Sequence, residues 1–429
     1  GSGSDTTGAS IGKGIIINTS TYLKSIINIL NKDKLVHVQP GISIEELNTT
    51  LKWQGLCVPQ SPMDARLSTV GGVLANGTLG AASDSLGQAV DKLEVILANG
   101  DLIETGPVGK REVSKKMGTQ TFEGEIYRRL EALFEDNQEV INKLAEKETV
   151  DYSGYRSITK IKDKDGTYDL TPLFIGSQGT LGIISEAVIN AEFYSVDQTA
   201  LIVTTENRAK AYDVAAQLLD LRPSQLQVID GELLRLASKT GVQYDTVGML
   251  EGIGAVLYLS FNDFSDRTRS HKLKKARKLL DKLNMGAVDS TDRQIEDFTK
   301  VSGVFETLRL SLDDSDSILP LLNGAYIPVD RLSDFEVALE DLAKKHHVNV
   351  PVQVNVLSGI VSAFPVIGLN SVSEKQKIFK LMNDFATLAK ELGGSIAGDG
   401  GEGRVKANAA WSVMDEAEAA LYEQVKAIF

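Results

Sequence analysis

Four glycine-rich segments interrupt this chain, and each lies next to short apolar runs that resemble strands. They read "GSGSDTTG" at 1–8, "STVGGVLANGTLG" at 68–80, "LFIGSQGTLGIISEA" at 173–187 and "GDGGEGRVKA" at 398–407. Glycine has no Cβ and tolerates positive φ, so such segments let the backbone turn sharply and approach a ligand or another strand. The chain is therefore expected to fold from short strands and tight loops.

The two halves of the chain differ in the spacing of their apolar runs. Up to about residue 190, short β-like runs such as "LVHVQPG" and "LEVILANGDLIETG" alternate with glycine-rich turns. After residue 195, strands alternate with helices, which are predicted near 206–220, 264–284, 333–347 and 374–392. This pattern predicts two domains, 1–192 and 193–429, in an α+β fold whose mainly antiparallel sheet is covered by helices.

Local signals mark individual turns and helix ends. Asn99-Gly100 separates two apolar-rich stretches, which predicts a hairpin whose two turn residues both take positive φ. The stretch 123–145 is predicted as one helix, inserted beside the glycine-rich core. Two capping boxes, in which side chains three positions apart satisfy free N–H groups reciprocally, are predicted at Ser333 with Glu336 and at Ser373 with Gln376.

Charge and cysteine content narrow the class of protein. The chain has 45 Lys and Arg against 58 Asp and Glu, a formal net charge of −13, so no nucleic-acid partner is expected. The single cysteine, Cys57, cannot form an internal disulfide, which indicates a reducing compartment. No apolar run reaches the ~18–20 residues of a membrane span. We expect a cytoplasmic protein, with peripheral contact to the inner face of a membrane left open.

Taken singly, the glycine-rich segments have two interpretations each. The first fits a flexible linker or an anion-binding nest of N–H groups; Thr7 and Gly14 exclude a P-loop. The second and third fit tight β turns or ligand loops. The fourth matches G-x-G-x-x-G at Gly398, Gly400 and Gly403, but no helix packed on a parallel strand is predicted after it, as a dinucleotide fingerprint requires.

Read in order, the segments resemble one family. The stretches "GSGSDTTG", "VHVQPGISIEELNTTL", "PQSPMDARLSTVGGVLANGTLG", "SLGQAVDKLEVILANGDLIETG" and "DLTPLFIGSQGTLGIISEA" are similar to the flavin-binding half of the FAD-linked 2-hydroxy-acid dehydrogenases. This group includes D-lactate dehydrogenase and the glycolate oxidase flavin subunit, within the vanillyl-alcohol oxidase / para-cresol methylhydroxylase superfamily. The resemblance covers nearly the whole chain. It implies a para-cresol-methylhydroxylase-type FAD-binding domain followed by an FAD-linked oxidase C-terminal domain, truncated at both ends.

The resemblance also implies which residues bind FAD. The opening segment resembles the loop that receives the FAD pyrophosphate, and the second and third glycine-rich segments resemble segments that line the flavin. The implied cofactor-binding residues are Ser2, Gly3, Ser4, Asp5, Thr7, Gly8, Ser61, Thr69, Gly72, Asn76, Gly80, Gly179, Gly182 and Ile183. No histidine lies in the opening segment, so noncovalent FAD is implied. Gln178 stands where many relatives have glutamate.

The second half departs from the family pattern. Relatives carry two histidines at positions resembling Asn355 and Ser362 and a Glu-His pair resembling Asp399 and Gly400, and these form a metal or substrate site. The arginine expected for the substrate carboxylate is absent near Ser302. Because imidazoles suit divalent metals and proton abstraction, no metal site is predicted. The histidines present are expected to be structural or solvated: His37, His271, His346 and His347.

By this resemblance, the chain is expected to oxidise a small 2-hydroxy acid of the D-lactate or glycolate type by hydride transfer to FAD. Candidates for the vacated roles are Asp399 or Glu402 as base, Arg404 or Lys406 as carboxylate clamp, and Tyr155 as a hydrogen-bonding wall. A surface ion-pair network is the second interpretation of the charged cluster.

Two alternatives stay open for the chain as a whole. One is a flavin-binding homologue or subunit without catalysis of its own, because the family's histidines and arginine are replaced. The other is a folded fragment without bound flavin. The electron acceptor is left undefined among a quinone, oxygen and a partner protein.

Overall fold

The computed structural model describes residues 5–58, 66–78, 86–194, 199–248, 250–290, 295–304, 307–308, 320–368 and 371–429. The chain divides into two units. The first unit holds the described residues up to Tyr194 together with Ala397–Phe429, and the second holds residues 199–396. The predicted division after residue 192 assigns the last segment to the second domain, whereas by its contacts Ala397–Phe429 folds with the first unit.

The strands are short, as the glycine-rich sequence predicts. In the described residues they are β1 (Ile26–Leu30), β2 (Leu35–Val38), β3 (Leu56–Cys57), β4 (Val90–Ile96), β5 (Leu102–Glu104), β6 (Pro107–Val108), β7 (Tyr168–Asp169), β8 (Ile183–Asn190), β9 (Glu192–Phe193), β10 (Thr199–Thr205), β11 (Gln225–Asp230), β12 (Ala255–Phe261), β13 (Ala287–Asp289), β14 (Leu322–Tyr326), β15 (Val352–Asn355) and β16 (Ile360–Ala363).

Helices connect the strands in both units. In the described residues they are α1 (Ile44–Lys52), α2 (Val70–Asn76), α3 (Lys110–Met117), α4 (Phe122–Asp136), α5 (Gln138–Glu146), α6 (Thr171–Phe174), α7 (Arg208–Leu218), α8 (Gly231–Ser238), α9 (Asp266–Lys282), α10 (Ile295–Ser302), α11 (Leu332–His346), α12 (Val372–Glu391), α13 (Ala407–Ser412) and α14 (Glu416–Ile428). Within this described part of the chain, no helix combines the length and the apolar character needed to cross a membrane.

The first unit is centred on a five-stranded sheet in the order β1-β2-β8-β4-β5, with every neighbouring pair antiparallel. Leu93 and Val95 on β4 alternate with outward positions and are fully buried, as expected for a sheet with one face in the core. The C-terminal helix α14 contributes to the same core, and the Phe429 ring lies edge-on to Phe174 with 5.7 Å between ring centroids. The last residues therefore stabilise the first unit.

The predicted hairpin at Asn99-Gly100 is confirmed. β4 pairs with β5 through Ile96 and Leu102, and Gly100 has a φ of +89°. The prediction that both turn residues take positive φ was wrong, because Asn99 does not. The loop is longer than a two-residue turn: the Asn99 side chain accepts a hydrogen bond from the Asp101 N–H at 2.9 Å, which lets Gly100 alone carry the left-handed conformation.

The stretch 123–145, predicted as one helix, forms two. Asn137 interrupts it with a φ of −119° between α4 and α5. Its side-chain amide donates to the Leu133 carbonyl at 3.0 Å and to Gln424 Oε1 at 3.0 Å. An asparagine that hydrogen-bonds the backbone competes with the helical ladder, so the helix ends at this residue and restarts after it.

The second unit is built on a seven-stranded sheet in the order β13-β10-β12-β11-β15-β16-β14. All its strand pairs are antiparallel, which confirms the predicted sheet type. β12 is buried along its whole length, as its unbroken apolar sequence predicts. The side chains of Ile202, Ile229 and Tyr258 share a core with residues of α8 and α10, so helices cover the sheet.

The capping box predicted at Ser333 is wrong. α11 begins at Leu332, and its first turn has no side-chain cap. Glu336 instead accepts two hydrogen bonds from the Arg208 guanidinium at 2.8 and 3.0 Å, and Arg208 also pairs with Asp230. Glu336 and Asp230 are both buried, and a buried carboxylate is costly without a charged partner. Glu336 therefore pairs with Arg208 and does not cap the helix.

The capping box predicted at Ser373 with Gln376 is displaced by two residues. α12 begins at Val372, and its box is formed by Ser371 and Glu374, whose side chains each bond the other's backbone N–H. The helix therefore starts earlier than the pattern predicted, although the type of cap is the one expected. It ends at Glu391 with Leu392 as C-cap, and Gly393 follows in the left-handed conformation with a φ of +83°.

Candidate functional site

The Asp5 carboxylate organises the opening loop, here residues 5–9. Its Oδ2 accepts hydrogen bonds from Thr7 Oγ1 at 2.7 Å and from the Ala9 N–H at 3.0 Å. Its Oδ1 accepts one from Asn76 Nδ2 at 3.3 Å. Thr7 and Gly8 are buried, and Gly8 has a φ of +74°. The implied cofactor residues Asp5, Thr7, Gly8 and Asn76 are thus brought together, while Ser2, Gly3 and Ser4 lie outside the described residues.

The opening loop has backbone N–H groups that are suited to bind an anion. No hydrogen bond among the described residues uses the backbone N–H groups of Thr6, Thr7 or Gly8. Consecutive N–H donors in a turn favour phosphate oxygens, whereas the Asp5 carboxylate is already engaged in shaping the loop. The loop therefore offers the backbone donors of an anion-binding nest.

Helix α2 carries the second group of implied cofactor residues. Thr69 is its N-cap and accepts the Gly72 N–H at 3.2 Å, so the Thr69 hydroxyl positions the helix. The helix ends at Asn76 because Gly77 follows with a φ of +70°, where a Cβ would lie 2.7 Å from the Tyr152 ring. Ser61 and Gly80 lie outside the described residues.

The third group meets the end of α2. The Gln178 N–H donates to the Ala75 carbonyl at 2.7 Å. Gly179 has a φ of +74° and open space around its Cα. Gly182 packs against β4, since a Cβ there would lie 2.5 Å from Val95 Cγ1. Ile183 begins β8 and is 43% exposed, an apolar surface beside the segment.

The fourth glycine-rich segment, hereafter the glycine loop (residues 398–406), packs directly on the opening loop. The N–H groups of Arg404 and Val405 both donate to the Thr7 carbonyl at 3.0 Å. Gly403 has a φ of +53°, and a Cβ there would lie 2.6 Å from the same carbonyl oxygen. The predicted catalytic segment and the predicted pyrophosphate loop are therefore neighbours within the first unit.

Glu402 is the carboxylate that this packing encloses. Its Oε1 accepts the Gly154 N–H at 3.3 Å. Burial raises the pKa of Glu402, the backbone hydrogen bonds oppose that shift, and the nearby Asp151 carboxylate adds to it. A carboxylate held with a raised pKa is suited to accept a proton.

Lys406 lies beside Glu402 and is 1% exposed. Burial lowers the pKa of Lys406 to about 8, although the neighbouring carboxylates of Asp399, Glu402, Asp5 and Asp151 favour its charged form. A lysine buried to this extent does not belong to a surface ion-pair network, which was the second interpretation of the cluster.

Arg404 and Tyr155 are more accessible. Arg404 is exposed, and its guanidinium lies beside Gly12, with Nη2 3.9 Å from where a Cβ would stand. The Tyr155 hydroxyl shares a hydrogen bond with Thr180 Oγ1 at 2.8 Å. Burial raises the pKa of Tyr155, so it stays a neutral donor at physiological pH. Tyr155 thus borders the segment that contains Gly179.

We predict that Lys406→Met changes how stability depends on pH. With a folded pKa of about 8 and an unfolded one near 10.4, the unfolded chain binds the extra proton between about pH 8 and 10. As the pH rises through that window, the wild-type free energy of unfolding should increase relative to that of Lys406→Met, by at most about 1.4 kcal/mol per pH unit. Below the window, the difference between the two proteins should not change with pH.

Urea unfolding at several pH values measures this difference. Lys380→Met, which removes an exposed lysine, is the matched control and should show no such slope. A constant difference between wild type and Lys406→Met across the window would contradict the buried, weakly basic Lys406.

In the second unit, the positions that replace the family's imidazoles and arginine form hydrogen bonds of their own. Ser362 Oγ donates to Asn323 Oδ1 at 2.5 Å, and Gln353 Nε2 donates to the Ser302 carbonyl at 2.8 Å. Asn355 Oδ1 accepts a backbone N–H two residues on. Across the described residues, no three His, Cys, Asp or Glu side chains group as ligands for a metal ion.

The histidines have ordinary partners or lie in solvent. His37 Nε2 lies 2.7 Å from Glu186, and His346 Nε2 lies 2.8 Å from Asp384. His271 is exposed on α9, and His347 forms the left-handed C-cap of α11. None of the four lies in the opening loop or the glycine loop.

Sequence reasoning missed two contributions to this region. One is the contact of Asp151 and Gly154 with Glu402, since of this segment only Tyr155 was a candidate. The other is Gln178, whose amide contacts both α2 and the glycine loop. The only signal for Gln178 was its departure from the glutamate of relatives.

Comparisons with known proteins agree with this organisation. Residues 1–106 match the FAD binding domain family, and residues 196–429 match the family of FAD linked oxidases, C-terminal domain. The chain is 22% identical over 423 residues to D-2-hydroxyglutarate dehydrogenase of Pantoea ananatis, covering 94% of this chain but 41% of that protein. It is 24% identical to glycolate oxidase subunit GlcD of Bacillus subtilis, covering 90% of this chain and 71% of the relative.

A solved structure shows the same fold. p-Cresol methylhydroxylase with substrate bound superposes with a TM-score of 0.64 at 12% identity, covering 94% of this chain and 76% of that one. Together with the family matches, this confirms the para-cresol-methylhydroxylase-type FAD-binding domain followed by an FAD-linked oxidase C-terminal domain. The cofactor of this fold family is FAD.

Proposed function

This chain belongs to the FAD-linked oxidases, and we propose that it oxidises a small 2-hydroxy acid to the corresponding 2-oxo acid. The observation that carries the proposal is the packing of the glycine loop on the opening loop. It sets a half-buried carboxylate, Glu402, beside the segment that fits a pyrophosphate.

We assign the cofactor to the first unit. The backbone N–H groups of Thr7 and Gly8 would hold the pyrophosphate, the α2 residues Thr69, Gly72 and Asn76 would shape the adjoining wall, and Gly179 would allow close approach of the ligand. Gly182 and Ile183 continue that segment into β8. FAD bound there would supply a two-electron acceptor for the hydride from C2 of the substrate.

Glu402 is our candidate for the base. It would accept the proton of the substrate hydroxyl at a carboxylate oxygen while the hydride leaves C2, so the alcohol loses two electrons and two hydrogens and becomes the carbonyl group of the 2-oxo acid. The raised pKa of Glu402 improves the driving force for this transfer, and the Gly154 N–H holds the side chain in place. Asp399, which is part of the same loop, is the second candidate.

Arg404 is our candidate for the cation that binds the substrate carboxylate, because its guanidinium is exposed and can form a bidentate pair. Lys406 is buried among carboxylates, so we assign it the role of balancing their charge. The neutral Tyr155 hydroxyl donates its proton to Thr180, which itself donates to the Ser177 carbonyl, so its oxygen would accept a hydrogen bond at the wall of the site.

The substrate class follows from the relatives. The names of the relatives contain D-2-hydroxyglutarate and glycolate, both 2-hydroxy acids, and D-lactate is the third substrate that we would test. The chain spans less than half of the hydroxyglutarate dehydrogenase, so the activity of a longer protein is part of the proposal. The electron acceptor and any membrane contact are left for experiment.

Anaerobic mixing of the FAD-loaded protein with each acid tests the proposal. We expect bleaching of the visible flavin absorbance by at least one of D-lactate, glycolate and D-2-hydroxyglutarate, and none by the matching acid that lacks the hydroxyl. A yellow protein that none of the hydroxy acids bleaches would refute the proposed activity and favour a flavin-binding homologue without catalysis.

A further inference from the structure

Gln178 occupies an unusual backbone position and uses every part of its amide. Its φ is +54°, a left-handed conformation that is unfavourable for a residue other than glycine. Its Nε2 donates to Asn76 Oδ1 at 3.0 Å and to the Gly400 carbonyl at 3.3 Å. Its Oε1 accepts the Gly403 N–H at 3.1 Å. Backbone strain of this kind persists where surrounding contacts enforce it.

These bonds join the glycine loop to the opening loop. From Asn76 the chain of hydrogen bonds continues to the Asp5 carboxylate, at 3.3 Å from Asn76 Nδ2, and so to the Thr7 hydroxyl at 2.7 Å. At the other end, Gly403 directly follows Glu402 in sequence. A Cβ on Gly401 would lie 2.7 Å from Gln178 Nε2, so the loop closes tightly over the amide.

We propose that Gln178 is a positioning residue that holds the glycine loop, and with it Glu402, in place against the cofactor loop. The role requires a neutral amide, because two contacts need a donor and one needs an acceptor. An ionised glutamate has the same shape but cannot donate, and it would face the oxygens of Asn76 and Gly400. The proposed role therefore requires glutamine, and not glutamate, at position 178.

The test compares Gln178→Glu, Gln178→Met and wild type by their dissociation constants for FAD. Removing all three bonds should weaken FAD binding by about 10–100-fold in Gln178→Met at every pH. Gln178→Glu should be weaker still near pH 8 and should recover in part on acidification, as its carboxyl takes up a proton and can donate again. Gln217→Glu, an exposed change of equal charge, should match wild type.

Other titrating groups lie on the segments joined through Gln178 and Asn76, and the comparison of variants accounts for them. Asp5 lies on the opening loop, and Asp399, Glu402 and Lys406 lie on the glycine loop. Their ionisation is common to wild type and Gln178→Met, so a recovery specific to Gln178→Glu reports the new carboxyl. Equal FAD affinity in wild type and Gln178→Glu near pH 8, or identical pH profiles for the two variants, would overturn the proposal. If Gln178→Glu does not fold, Gln178→Met with wild-type affinity would overturn it alone.

The effect on flavin reduction rests on the proposed function, but the FAD measurement does not. In Gln178→Met saturated with FAD, we expect a reduction rate about 10-fold or more below wild type, because Glu402 is misplaced, with a smaller change in KM. If no hydroxy acid reduces the wild type but the FAD affinities of the variants depend on pH as predicted, the proposed activity is refuted and Gln178 is still supported as a positioning residue. Normal flavin reduction by wild type and by every Gln178 variant would support the proposed activity and would contradict the positioning of Glu402 by Gln178.

Discussion

Replacing Glu402 with glutamine is expected to slow anaerobic flavin reduction by about 10²–10⁴-fold, the usual contribution of a general base. Glutamine keeps the shape of the side chain, and its carbonyl oxygen can still accept the Gly154 N–H. The variant removes the ability to accept the hydroxyl proton, together with one negative charge beside Lys406. FAD affinity should therefore change by less than about 3-fold, and stopped-flow absorbance with saturating hydroxy acid measures the rate.

The pH dependence of the wild-type flavin reduction rate is a second test of the role of Glu402. Because the pKa of Glu402 is raised, the reduction rate should fall on acidification with a midpoint above the ordinary glutamate value of about 4.3. That limb should vanish in Glu402→Gln. Glu416→Gln, which changes an exposed glutamate on α14, serves as the control and should reduce at the wild-type rate. An unchanged rate in Glu402→Gln would transfer the role to Asp399.

Adding one methyl group at Gly403 is expected to weaken FAD binding by about 100-fold or more. The Cβ of Gly403→Ala would lie 2.6 Å from the Thr7 carbonyl oxygen and closer still to the Thr7 hydroxyl, and alanine is disfavoured at a φ of +53°. The glycine loop must therefore move away from the opening loop, and the N–H groups that fit the pyrophosphate lose their support. Equilibrium titration with FAD measures the effect.

Gly14→Ala is the matched control for this change. Gly14 is exposed, belongs to the same N-terminal stretch and has nothing within 4 Å of an added Cβ. Its FAD affinity should equal that of wild type. Wild-type affinity in Gly403→Ala would mean that the contact between the two loops does not support the cofactor, and the assignment of FAD to this part of the first unit would have to be abandoned.

Local pattern predicted the elements well where neighbouring residues decide the outcome. The continuous apolar runs in "TALIVTT" and "AVLYLSF" predicted β10 and β12, because a short apolar run of this length is typical of a buried strand. Prediction failed where a distant partner decides. Asn137 interrupts the long helix with hydrogen bonds that include one to Gln424. Glu336 binds Arg208 and does not form the predicted capping box.

In the candidate site too, the sequence predicted local features but not contacts between distant segments. Glycines at 8, 179 and 403 were visible in the sequence, and their left-handed backbone accounts for their presence. The meeting of the opening loop with the glycine loop, nearly 400 residues apart, was not predicted, because the predicted boundary placed the two loops in different domains. The burial of Lys406 was not foreseen, because a lysine in a charged glycine-rich stretch resembles solvated surface.

One measurement tests the central claim most directly: anaerobic titration of the FAD-loaded chain with the most effective 2-hydroxy acid, followed by quantification of the 2-oxo acid formed. Hydride transfer from C2 predicts loss of the visible flavin absorbance with one 2-oxo acid produced for each flavin reduced. An oxidised flavin spectrum that persists at saturating D-lactate, glycolate and D-2-hydroxyglutarate, with no 2-oxo acid detected, would contradict the claim.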